Sequence, residues 1–147
     1  VIGDLVIAGC SRRKAPEPRL LPALERYTGG VAPQLRERFA GHRRARDRIR
    51  FLSAEHGLIR ADDLLAPYDR ALTRERAEEL RPVVAQQLAH DFHAGGVPQR
   101  VLLVLEPDYL IPLTELMALP ERPVLLWISD PHGWPRAAAV LDEWRWP

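Results

Sequence analysis

Four short apolar runs constrain this chain more than any other feature: LVIAG at 5–9, IRFLSA at 49–54, RVLLVLE at 100–106 and PVLLWIS at 123–129. The last two are almost continuously apolar rather than alternating, the pattern of parallel strands covered on both faces. Segments with helical spacing separate them. Leu35, Phe39 and Arg43 mark one helix, and Ala77, Leu80, Val84, Leu88 and Phe92 mark the longest. Thr73 is placed to cap the long helix, Gly95–Gly96 to stop it, and Pro82 to kink or divide it. Shorter helices are predicted over 110–119 and 136–144. The alternation predicts an α/β fold: a single three-layer Rossmann-like domain over 1–147, with a mostly parallel central sheet of at least four strands.

No apolar run approaches the length of a membrane helix. The opening stretch VIGDLVIAG is interrupted by Asp4 and has no basic leader, so it does not read as a signal peptide. A chain of 147 residues with one cysteine forms no internal disulfide and no multi-cysteine metal site. A cytoplasmic location, without membrane association, is the expectation.

Charge is balanced overall at +1, yet residues 12–50 carry a local excess of +8 and residues 51–147 one of −6. Arginine supplies 20 of the 21 basic residues, and the one lysine is Lys14. An ammonium is a compact point charge that a planar guanidinium cannot copy, so Lys14 stands out in so arginine-biased a chain. It lies in CSRRK, 10–14, at the predicted end of the first strand. Ligands of open α/β sheets bind at such strand ends, where strand order reverses. Cys10 is either a nucleophile with cationic neighbours or a small strand-end packing residue. Ser11 and the loop amides suit phosphate or carboxylate.

The loop after the second strand, AEHGLIRADD at 54–63, faces the same predicted crevice. Glu55 and His56 are adjacent acid–base candidates, and Asp62, Asp63 and Asp69 add carboxylates nearby. Two converging carboxylates can orient water and stabilise positive charge on a sugar carbon. Acidic loop residues are also common turn formers and caps. Gly57 reads as a left-handed or close-approach position. No G-x-G-x-x-G or Walker loop occurs, and no local spacing matches a zinc site, so no cofactor or metal is expected. His90 and His93 decorate the long helix, and His132 sits in the turn SDPHGWP.

Seven arginines fall between 36 and 50, a basic face suited to DNA or RNA, although Phe39 alone offers a stacking surface there. A solvated arginine-rich helix accounts for the same run. Trp127 reads as sheet core. Trp144 and Trp146 seal the last helix or form a protein interface.

Several pieces taken in order resemble an uncharacterised bacterial and phage α/β family, related in appearance to the YaaA peroxide-stress superfamily. They are VIAGCSRRK at 6–14, ALERYTGG at 23–30 with Arg36 following, FLSAEHGLI at 51–59, DDLLAPYDRALT at 62–73 and the strand VLLVLEPDY. The first also resembles the Cys-Ser-x-x-Lys element of archaeosine synthase, which acts on a 7-deazaguanine in tRNA. The resemblance implies a pocket near Cys10, Ser11, Lys14, Tyr27, Glu55, His56, Asp63, Tyr68 and Asp69, and modified-base metabolism or nucleic-acid protection.

The leading expectation is therefore an enzyme acting on a nucleotide or nucleoside by N-glycosidic hydrolysis or base exchange. Lys14 would hold an anion, Glu55 or Asp63 would orient water or stabilise an oxocarbenium-like carbon, and His56 or Tyr68 would contact the leaving base. Tyr27, Arg36 and Asp69 complete the substrate-binding set, with Cys10 and Ser11 shaping the loop. The alternatives are a non-catalytic DNA- or RNA-binding protein of damage or phage defence, and a scaffold whose tryptophan-rich end meets a partner.

Overall fold

The computed structural model describes residues 3–147; Val1 and Ile2, which begin the opening apolar stretch, lie outside the described residues. The first apolar run forms β1 (Asp4–Gly9). A loop leads through the two-residue strand β2 (Leu21–Pro22) to the helices α1 (Ala23–Arg26), α2 (Ala32–Phe39) and α3 (Arg43–Arg46). The second run forms β3 (Ile49–Ser53), which turns straight back as β4 (Gly57–Arg60). β5 (Leu64–Leu65) precedes the long helix α4 (Arg74–Gly95). The third run forms β6 (Arg100–Val104), followed by a 3-10 helix (Pro107–Leu113) and α5 (Thr114–Met117). The fourth forms β7 (Val124–Ile128), and α6 (Trp134–Glu143) follows it.

The main sheet has the order β4-β3-β1-β6-β7, parallel throughout except for β4. This is the expected mixed α/β domain with a mostly parallel central sheet flanked by helices. Alternate residues of β1 serve the two faces, as the pleat requires. Val6 and Ala8 join Leu24, Leu35 and Leu141 of α1, α2 and α6 on one side. Leu5 and Ile7 join Leu80, Val84 and Leu88 of α4 on the other. Each such fully buried valine, leucine or isoleucine contributes about 1.5–3 kcal/mol.

Thr73 caps α4, its hydroxyl accepting from Arg76 N–H, and Gly96 ends it at φ 81°. Pro82 does not divide the helix. It lies on the exposed face, where the Glu78 carbonyl left without its N–H can bond water. The predicted 110–119 helix divides into the 3-10 helix and α5, and α2 stops at Phe39, leaving Arg43 to start the separate α3.

Two further departures shape the site. GLIR forms an antiparallel edge strand instead of part of a loop, with Arg50 opposite Arg60 and Ser53 opposite Gly57. This returns the chain to the far end of the sheet before Asp62 and Asp63 are reached. Trp127 lies on the outermost strand and is 44% exposed, not in the core, whereas Trp144 and Trp146 are buried against the α2–α6 layer. Among the described residues no helix is long and apolar enough to cross a membrane.

Candidate active site

From β1 the chain moves to β3 on one side, and it later returns to β6 on the other. Strand order therefore reverses between the carboxyl ends of β1 and β6, where such sheets open a crevice. A cavity of about 680 Å³ lies there, bounded by residues 9–14, 29–31 and 69–72, Glu106, Tyr109 and residues 131–132. That volume suits a small ligand. Cys10 directly follows β1, its N–H bonded to Leu52 O at 3.0 Å, and its Sγ stands 3.2 Å from Tyr109 Oη after β6. One contact thus ties together the two strand-end loops that flank the crevice.

The loop after Cys10 is held by its own residues and by a buried arginine. Ser11 Oγ–H donates to Arg13 O at 2.5 Å and accepts from Gly29 N–H at 3.1 Å. A Cβ at Gly29 would lie only 3.1 Å from that of Ser11, so the 29–30 turn fits closely against this loop. Lys14 Nζ donates to Ser11 O at 2.9 Å and lies 4.5 Å from the centre of the Tyr68 ring. A lysine ammonium has three donors, so further donors remain for a ligand. Arg26, fully buried, donates to the carbonyls of Ala15, Glu17, Arg19 and Leu65. It clamps the segment beyond Lys14 without any carboxylate partner among the described residues.

Behind the loop the hydroxyls form a chain. Tyr27 Oη is 2.5 Å from Tyr68 Oη, which is 2.8 Å from Ser53 Oγ. Ser53 Oγ also accepts from the N–H groups of Glu55 and His56, fixing the turn between β3 and β4. The His56 ring meets Tyr68 edge-on, with centroids 5.2 Å apart. Burial pushes the Tyr27 phenol up to about 12. Burial also raises Tyr68 and Tyr109 far above the ordinary phenol range, and the adjacent Cys10 adds to both shifts by disfavouring a second negative charge. All three phenols are neutral donors at physiological pH.

The structure gathers Cys10, Ser11, Lys14, Tyr27, His56, Tyr68 and Asp69 at this end of the sheet. Glu55 stands at its margin, paired with the cavity-lining Arg70 at 3.3 Å. Asp63 does not join Lys14 and Tyr68, because β4 has carried it to the opposite end. There its Oδ2 accepts from Arg60 N–H at 2.8 Å, and it borders a separate depression with Arg50, Arg60 and Asp91. Arg36 is also elsewhere, donating from α2 to Leu24 O at 2.9 Å.

Glu106, Arg70 and Tyr109 were not singled out from the sequence, although Glu106 closes the third apolar run just as Cys10 follows the first. The same strand-end logic identifies it. His132, the turn histidine, lines the cavity as well. No cluster of three or more histidine, cysteine or acidic side chains with metal-binding geometry occurs among the described residues.

The arginine run is largely engaged within the chain. Arg36, Arg38, Arg46, Arg48 and Arg50 each donate to backbone carbonyls of their own chain. Arg38 and Arg50 also pair with Asp142 and Asp91. Arg43 and Arg44 remain exposed.

Fold and cavity define an α/β domain with a small-molecule-sized cleft at its topological switch point. The chain belongs to the family of unknown function DUF6884, whose model matches residues 5–118. The match runs from β1 through α5 and includes the loop 10–14, Tyr68, Asp69, Glu106 and Tyr109; β7, α6 and His132 follow it. No curated protein matches the chain.

Proposed function

We propose that the strand-end cleft is the active site of an enzyme that handles a nucleotide or nucleoside, by N-glycosidic cleavage or base exchange. The observation that carries this reading is the meeting of both signs of charge in one cavity at the switch point. Arg12, Arg13, Lys14 and Arg70 line it together with Asp69 and Glu106. Arg12, Arg13 and the ammonium of Lys14 would hold a phosphate or another anion, with the turn at Gly29–Gly30 leaving room for its approach. Glu106 or Asp69 takes the role first given to Asp63: orienting water or stabilising positive charge on the sugar carbon. His132 or His56 would meet the leaving base, with the neutral Tyr109 donating a hydrogen bond.

The likeness of Cys10, Ser11 and Lys14 to the Cys-Ser-x-x-Lys element of archaeosine synthase, and of the longer pattern to the YaaA superfamily, supports a base-containing substrate. This reading takes residues 1–147 as one domain working in the cytoplasm, where Cys10 stays a thiol. The test is incubation with a panel of nucleosides and nucleotides, monitored for free base by chromatography. Release of base by the wild type, lost in Glu106→Gln or Asp69→Asn, is expected. No base release and no ligand-dependent rise in melting temperature across the panel would refute the proposal.

A further inference from the structure

The two edges of the sheet are finished differently. Along β4 the outward backbone groups are covered: Leu58 N–H donates to Gln87 Oε1 at 2.7 Å and Arg60 N–H to Asp63 Oδ2 at 2.8 Å. Along β7 they are bare. Val124 N–H donates to Gln99 O at 2.9 Å, and Ile128 O accepts from Leu105 N–H at 3.1 Å. Those two bonds set the phase of the strand. Val124, Leu126 and Ile128 turn their backbone groups toward β6, whereas Leu125 and Trp127 turn theirs outward, where no partner stands among the described residues.

The strand VLLWI carries no charge, and Val124, Leu126 and Trp127 are 60%, 38% and 44% exposed. The indole of Trp127 is fixed in place by its Nε1–H donating to Leu105 O at 2.8 Å. Solitary edge strands are normally protected by lysine, bulges or a covering loop, since an open apolar edge invites another strand. Among the described residues Pro123 alone guards the edge, and only at its start.

We propose that β7 pairs antiparallel with β7 of a second copy, about a two-fold axis at Leu126, to form a dimer with one continuous sheet. What selects this occupant and register is charge. Arg122 and Asp130 lie four residues on either side of Leu126, both exposed and neither in an ion pair within its own chain among the described residues. Antiparallel pairing about Leu126 sets Arg122 of each copy across from Asp130 of the other, and symmetry makes the match twice. It also makes Leu125 and Trp127 of opposite copies exchange both backbone bonds, and places Val124 across from Ile128. Centring the pair one residue earlier puts Arg122 against Ile128. Centring it one residue later puts Arg122 against His132. Only the Leu126 register satisfies backbone, apolar side chains and charge together. The dimer also anchors one wall of the cleft, because Asp130 Oδ1 accepts from His132 N–H at 2.8 Å.

Light scattering after size exclusion tests this directly. The wild type is expected at twice the 16.7 kDa chain mass, and Leu126→Lys at the single mass with unchanged circular dichroism. Arg122→Asp and Asp130→Arg each replace two attractions with two repulsions and are expected to weaken the dimer about tenfold. The double variant Arg122→Asp, Asp130→Arg restores it. A wild type that stays monomeric up to about 0.1 mM, where an interface of micromolar affinity would be filled, overturns the dimer. So does a dimer that Leu126→Lys leaves intact, and failure of the double variant to recover overturns the register.

Discussion

Raising the pH to alkaline values should unfold this protein cooperatively through its phenols. The chain has three tyrosines, Tyr27, Tyr68 and Tyr109, and all three stand at the candidate site. In the unfolded chain each ionises near its ordinary value of about 10. In the folded protein burial holds Tyr27 protonated up to about 12, and Tyr68 and Tyr109 are shifted in the same direction. Below pH 10 both states keep their phenolic protons, so stability there does not depend on these groups. Between about pH 10 and pH 12 the unfolded chain loses protons that the folded chain retains, so stability falls as pH rises. Each phenol contributes a slope of about 1.4 kcal/mol per pH unit, which gives about 3 kcal/mol from Tyr27 over its two-unit window. The three together approach about 4 kcal/mol per unit, somewhat less for the half-buried Tyr68 and Tyr109. A domain of ordinary stability, about 5–15 kcal/mol, then unfolds near pH 11–12. The phenolate absorbance band reads this without a label, because no other tyrosine contributes. Phenolate should appear in one step coincident with loss of circular dichroism, and Tyr68→Phe should reduce the slope by about a third. A phenol that titrates reversibly near pH 10 with the fold intact would refute the closed hydroxyl cluster.

Arg26→Ala leaves four carbonyls without their donor, and since a buried acceptor left unpaired costs about 1–3 kcal/mol, a loss of at least about 3 kcal/mol is expected in urea unfolding, with early proteolysis in residues 15–19. Gly57→Ala forces a side chain into φ +74° with its Cβ 2.6 Å from Gln87 Oε1; calorimetry should show destabilisation of about 1–3 kcal/mol. Asp63→Asn leaves base release by the enzyme unchanged, whereas Glu106→Gln abolishes it, in side-by-side assays at equal protein concentration. Arg43→Ala with Arg44→Ala should leave melting temperature within about 1 °C, because both side chains are exposed on the surface.

The strands were legible because β1, β3 and β6 are covered on both faces, which forces nearly continuous apolar runs. The limits of α4 were legible because Thr73 and Gly96 act locally, through a side-chain cap and a positive φ. Gly57 showed for the same reason, being both left-handed and closely approached. β4 was hidden because four residues paired on one side have no signature that separates them from a loop. That omission displaced Asp63 by the length of the sheet. Trp127 was hidden differently: an apolar run looks the same whether or not a helix covers it, and the layer of α4, the 3-10 helix and α5 leaves Trp127 on the outermost strand 44% exposed. The purpose of the arginines depends on distant carbonyls, so composition could suggest a nucleic-acid face but not the clasping of Asp4 O by Arg48 or of Pro147 O by Arg38. The loop 10–14 was legible as a ligand edge from its position after β1. Its partners Glu106 and Tyr109 emerge only once β6 is seen beside β1.

The most direct measurement is a crystal structure determined with a nucleoside 5′-monophosphate at high concentration. The expected result is a ligand in the cleft between β1 and β6, its phosphate among Arg12, Arg13 and Lys14 and its sugar carbon facing Glu106 or Asp69. A cleft that stays empty, or a nucleotide bound instead against Arg43 and Arg44, would contradict it.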